Sequence, residues 1–430
     1  MKMYKEVRKV IVVYYLLISV LAFCSGWFFV RYLTVHPLKM SRELLLTLIF
    51  GIATVVVFFL QITIWRLYIS IPLILITFMC GYVIETRTFL NTPDRRTCPE
   101  LTRQPGDPGT GHTAVIYFTH GEPETYDPIG WINQFREFDE QRIPFVPWLI
   151  RPIFAYRLRN GYLHIGRSNH VFIHQQMIKS LERSFRLEGD GTTRFYLSFL
   201  DASPTPRAAA IQALNEDASR IIVSEVFLTV SNHTCEGENQ VKELEIEERF
   251  SVPVTYTTPL CKSETLKRMF LERVQKNTDG IDKNKVGILL VGHGQPDEWD
   301  KLWPTETEQE LGFRRDVLET FAANGYKREN LSLAWMEFKE PKPAVKVEEF
   351  VKNGVEHILY FSAAISAEAM HSQFDVPELI GKAQVPSHIR IRNLGAWNDD
   401  PIVIQAIKEQ IDAALQVQQP QSLHDEKEAG

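Results

Sequence analysis

Within the first 84 residues lie three long apolar runs without a charged side chain. Residues 10–30 form an uninterrupted run of 21 residues, residues 44–65 a second, and residues 67–84 a third that contains Pro72. A bilayer core takes about 20 helical residues, so the runs predict three membrane-spanning helices. A proline is tolerated in such a helix where neighbouring helices satisfy the freed backbone group. Three successive runs are not a cleaved signal peptide. Arg66 alone separates the second from the third, which implies a tight hairpin. The expectation is a multi-pass membrane protein whose partner is the lipid bilayer. Basic residues flank both ends of the first span, so the positive-inside rule does not set its orientation.

The charge distribution separates this region from the rest. Residues 1–90 carry nine Lys/Arg and three acids, a net of +6; with −6 overall, the remainder carries −12. An acidic body does not suit nucleic acid, whose phosphates require a basic surface. The five cysteines, Cys24, Cys80, Cys98, Cys235 and Cys261, form no CxxC pair and no disulfide framework, which suits a reducing compartment.

Residues 91–112, rich in Pro, Gly, Thr and charge, read as a linker. Beyond them, buried strands alternate with amphipathic helices. The strands are expected at 114–118, 195–199, 221–228, 286–291, 331–336 and 357–361, and the helices between them include 171–186, 207–218, 307–324 and 344–353. This alternation predicts parallel α/β sheets covered on both faces. The pattern also repeats. Strand, then Thr119-His120-Gly121-Glu122-Pro123, recurs as strand, then Gly292-His293-Gly294-Gln295-Pro296. Ser203-Pro204-Thr205-Pro206 and Glu340-Pro341-Lys342-Pro343 each open the next helix, and a further strand is followed by His233 or His371. Four features in one order predict two similar Rossmann-like parallel-sheet halves, 113–265 and 280–418, with a disordered tail at 419–430.

Ligands of open parallel sheets bind beyond the carboxyl ends of the strands. His120 and His293 follow strands directly, so each half can present two imidazoles there. Imidazole ligates Fe²⁺, Co²⁺, Ni²⁺ or Zn²⁺ and accepts protons near neutral pH. Asp297, Glu298, Glu368 and Asp375 lie near the second pair in sequence and could orient an imidazole. The remaining histidines have no such partner and read as structural or surface residues. No G-x-S-x-G elbow and no G-x-G-x-x-G turn is present, which argues against a hydrolase or a dinucleotide-binding enzyme.

On these residues the second half resembles the sirohydrochlorin chelatases: ILLVGHG, an acidic residue before proline (Glu337, Pro341), and His371-x-x-x-Asp375-x-Pro377. The first half resembles ferrochelatases in HGEPETYDPIGWINQFREF and in PWLIRPIFAYRLRNGY, which looks like the apolar lip that holds their macrocycle. The resemblance implies a chelatase-type fold and ATP-independent insertion of Fe²⁺ or Co²⁺ into a tetrapyrrole such as protoporphyrin or sirohydrochlorin. No further cofactor is implied, and the catalytic part would face the cytoplasm. It implies His293 and His371 as catalytic and metal-ligating residues; the repeat makes His120 and His233 the alternative ligands, and Glu368 or Asp375, near in sequence, would support His371. Trp148, Arg151, Tyr156 and Trp299 would contact the ring. The alternative is a membrane-tethered carrier of the same fold that holds ring or metal without insertion; it could keep ring binding with one histidine, where an enzyme needs both.

Overall fold

The computed structural model describes residues 2–60, 64–140 and 146–416, so the expected tail at 419–430 lies outside the described residues. The chain divides into two compact units, Met1–Arg95 with Thr125–Arg167, and Arg96–Glu124 with Ser168–Gly430.

The first unit holds α1 (Lys2–Thr34), α2 (Pro37–Phe59) and α3 (Ile64–Leu90). Their stretches Glu6–Thr34, Pro37–Phe59 and Leu67–Leu90 are long and apolar enough to cross a bilayer. Pro72 sits inside α3 without ending it. Helices α1 and α3 approach closely at Gly26 and Gly81, where any Cβ would overlap the carbonyls of Phe78 and Phe23. Small residues permit this contact, which in lipid depends on packing rather than on a hydrophobic force. Glu43 is fully buried, with Arg31 Nε at 3.2 Å.

Residues 125–167, which the sequence places in the first α/β half, group instead with these helices. They form α4 (Pro128–Glu140) and α5 (Arg151–Ile165). Tyr126 donates a hydrogen bond to the Thr34 carbonyl at 3.0 Å, and Arg159, fully buried, donates to the Val35 carbonyl at 3.0 Å. Tyr82 donates to the Leu149 carbonyl at 2.6 Å.

The second unit contains two sheets of four parallel strands. The first is built by β1 (Thr113–Thr119), α6 (His170–Leu187), β2 (Thr193–Phe199), α7 (Pro206–Asn215), β3 (Arg220–Glu225), α8 (Asn232–Lys242), α9 (Ile246–Phe250) and β4 (Val254–Tyr256), with strand order β2-β1-β3-β4. After α10 (Glu264–Asn277) come β5 (Val286–Gly292), α11 (Asp297–Leu302), α12 (Pro304–Ala323), β6 (Leu331–Trp335), α13 (Pro343–Lys352), β7 (His357–Ser362), α14 (Val376–Gly381), β8 (Arg390–Asn393) and α15 (Pro401–Gln416). Their strand order, β6-β5-β7-β8, repeats that of the first sheet.

Hydrophobic burial on both faces explains the near-continuous apolar strands. One core is shared by both sheets and joins Val115 and Tyr117 of β1 to Ile288 and Leu290 of β5 through Leu181, Phe270, Phe313 and Ile407. Separate cores cover the outer faces, around Ala209 and Leu214 in the first half and around Val347 and Phe350 in the second. The Pro-x-Pro turns start α7 and α13 with Pro206 and Pro343 at the first helical turn, where a missing N–H costs nothing. Residues 96–112 run along the first half rather than hanging free: Arg96 donates to the Leu200 carbonyl, and Arg103 to the Ala218 carbonyl and Asp217.

Candidate metal centre

The strand ends place the same three functional groups in each half. His120 follows β1 and His293 follows β5, each before a glycine with positive φ (Gly121 at 110°, Gly294 at 82°) that turns the backbone sharply. The next strand in sequence delivers an acid: the N–H of Asp201 donates to the His120 carbonyl at 3.2 Å, and that of Glu337 to the His293 carbonyl at 3.1 Å. The strand on the other side leads to the second histidine. His233 stands in the first turn of α8, whose Ser231 forms a capping box with Thr234. His371 opens a π-helical turn, His371–Asp375.

The structure brings His293 and His371 together, ring centroids 5.2 Å apart and planes at 72°. His120 and His233 repeat the arrangement at 4.9 Å and 82°. Two imidazoles donating to one tetrahedral ion at about 2.0–2.1 Å per metal–nitrogen bond have centroids about 5 Å apart, so either pair has the spacing for a shared ligand. Among the described residues no group of three or more His, Cys, Asp or Glu is arranged to hold a metal ion.

The two members of the second pair differ electrostatically. Burial pushes the His293 imidazolium down, and the neighbouring His371 pushes it further. Neutral His293 donates its Nδ1 proton to the Gly294 carbonyl at 2.6 Å, which leaves Nε2 as the free lone pair. Burial also opposes charge on His371, but Asp375 at 2.8 Å, together with Glu337 and Glu122, outweighs it and raises the group to about 9. Of the two acids expected to support His371, Asp375 does so directly. Glu368 instead accepts from Ser372 Oγ at 2.8 Å and from the Ala396 N–H at 3.1 Å, bracing the turn. Asp297 and Glu298 are exposed on α11.

Beneath His293 a buried ion pair fixes the backbone. Glu310 accepts the His293 N–H at 3.1 Å and lies 3.3 Å from Arg314 Nε. Arg314 is fully buried, donates to the Leu290 and Ala334 carbonyls and stacks over Trp335. Gly292 admits the pair, since a Cβ there would overlap both side chains.

In the first half Asp201 Oδ2 lies 3.3 Å from His120 Nδ1, which also donates to the Gly121 carbonyl at 3.0 Å. Burial raises the Asp201 carboxyl, against the pull of His120 and Arg96. Burial holds the His233 imidazolium well below its usual range, assisted by His120 and His293. Its buried Nδ1 has no hydrogen-bond partner among the described residues. Trp299, 6% exposed, packs edge-on against His233 at 5.7 Å, so it supports that imidazole and has little open face for a macrocycle.

Trp148, Arg151 and Tyr156 belong to the first unit. Arg151 is buried and engaged with Asp139 (Nη1 to Oδ2, 2.7 Å) and with the Val146 carbonyl. Tyr156 packs against Tyr32 and under Arg159, and Trp148, partly exposed, lies near Arg87.

Sequence reasoning missed Asp201, Glu122 and Glu310. Aligning FLDASPTP with WMEFKEPKP would have matched Asp201 to Glu337, but the second loop is one residue longer. His174 is structural, bonded to Tyr117 at 2.8 Å and near Thr119 and Ser366.

A comparison with curated proteins finds no match. Among solved structures, SirB from Bacillus subtilis with Fe3+ is similar at 12% identity and a TM-score of 0.44, covering 70% of this chain and 95% of that one. The sirohydrochlorin chelatase SirB from Bacillus subtilis subspecies spizizenii in complex with cobalt is similar at 11% identity and 0.42, with the same coverage. The family model for ferrochelatase matches residues 112–415, which span both sheets and both histidine pairs. The chain belongs to the ferrochelatase family.

Proposed function

We propose that the protein inserts Fe²⁺ or Co²⁺ into a tetrapyrrole such as protoporphyrin or sirohydrochlorin, and that His293 and His371 carry the step. The observation behind this is the 5.2 Å imidazole pair, with one member neutral and the other held by a carboxylate. Insertion forms metal–nitrogen bonds to the ring and releases two pyrrole protons. His293 Nε2 offers a lone pair to the metal or to one of these protons. His371 ligates through Nε2 once the proton on that nitrogen has passed to bulk water, and Asp375 on Nδ1 keeps the freed imidazole oriented. Glu337, whose charge acts on both imidazoles, relays the released protons to bulk water. No nucleotide hydrolysis enters this balance.

The first-half set His120, Asp201 and His233 has the same form and is the alternative seat for the metal. Trp148 and Tyr156 are proposed ring contacts; Arg151 already has a carboxylate partner in Asp139.

Enzyme and carrier separate in one absorbance experiment. Purified full-length protein in detergent is mixed with excess ring and either metal. An enzyme metallates many rings per chain; a carrier stops at a stoichiometric amount of bound ring or metal.

A further inference from the structure

Glu122 lies two residues beyond His120 in the first-half loop, yet its carboxylate serves the second half. Both oxygens accept the N–H of Met370, at 2.9 and 3.0 Å, and Ser168 adds a hydrogen bond. The residue is 9% exposed. Met370 immediately precedes His371 at the start of the turn 371–375, where backbone N–H groups lack intrahelical partners. The neighbouring Ala369 N–H is taken by Ser372 Oγ, at 2.9 Å. Glu122 therefore fixes the backbone donor immediately before His371.

Its counterpart in the repeat behaves differently. Gln295 stays within its own half, donating to Asp300 at 2.7 Å and to the Trp303 carbonyl at 2.9 Å. The repeat thus does not impose the bridge; it occurs from the first half onto the His371 turn. Burying a carboxylate is costly without compensation, and here the compensation is the Met370 N–H, Ser168 and the nearby imidazoles.

We propose that Glu122 is a positioning residue that seats the Met370–His371 turn so that the His371 imidazole meets His293, which makes the first half a working part of the second-half metal site. This rests on the reading that His371 holds the metal.

Two conservative variants separate position from charge. Glu122→Gln keeps an acceptor oxygen in place without the charge. Glu122→Asp keeps the charge but falls one methylene short of Met370. Full-length protein in detergent is titrated with Co²⁺, followed by visible absorption, alongside ring binding and thermal midpoint. Glu122→Gln is expected to bind Co²⁺ within about threefold of the parent. Glu122→Asp should lose about 10–100-fold, as for other groups that orient a ligand, with ring binding unchanged. Any other ordering of the two variants overturns the proposal. His371→Ala is the control: if it binds Co²⁺ as the parent does, the site reading fails and this inference falls with it. If His371→Ala is weakened while both Glu122 variants bind normally, only this inference falls.

Discussion

Glu225, at the end of β3, shows how one buried side chain sets a pH dependence of stability. It is 3% exposed, and burial, followed by the hydrogen bond and charge of Glu238, raises it to about 9. Its unfolded value is about 4.3. Between the two the folded state keeps a proton that the unfolded state has released, so stability falls as pH rises from about 5 to about 9. In Glu225→Gln this contribution disappears. Thermal midpoints across that range should decline less steeply than in the parent, and an unchanged slope would contradict the burial argument. The expected strand 221–228 put Glu225 inside an apolar run, but not beside a second carboxylate, because that neighbour, Glu238, comes from α8, which follows in the chain. The four repeated histidines, by contrast, were legible, since each stands at a strand-end motif that recurs in order.

The turn His371–Asp375 carries its chemistry through one i,i+4 contact, the 2.8 Å hydrogen bond from His371 Nδ1 to Asp375. The spacing His-x-x-x-Asp was visible in the sequence, but Glu368 was equally close, and only the fold of the turn sends it to Ser372 and Ala396 instead. Asp375→Asn should therefore weaken metal binding by about 10–100-fold, whereas the fold should survive. Isothermal titration with Co²⁺ checks this; parent-like affinity would remove Asp375 from the site. Strands and helices were readable from hydrophobic alternation, and the Pro-x-Pro turns marked α7 and α13. The grouping of α4 and α5 with the three N-terminal helices was not, because α5 carries the apolar and aromatic composition of a core helix as well as of a lip. Its partners, such as the Val35 carbonyl for Arg159, lie more than a hundred residues away in sequence.

For the whole molecule, three N-terminal helices long and apolar enough to cross a bilayer are joined in one chain to an α/β unit of doubled architecture. Alkaline carbonate extraction should leave the full-length protein in the membrane fraction; release into the supernatant would contradict integral spans. We further propose that the α/β unit faces the cytoplasm, where a C-terminal reporter active only inside the cell should report it. The doubled sheet order explains why both halves offer a histidine pair, of which the second is proposed to perform insertion. The most direct measurement is the rate of Fe²⁺ or Co²⁺ insertion into protoporphyrin or sirohydrochlorin by parent, His293→Ala and His371→Ala proteins of matched thermal stability. The parent should turn over, and each variant should lose about 10²–10⁴-fold, the range typical of a positioned acid–base group. Full turnover in His293→Ala would contradict this and move the chemistry to His120 and His233.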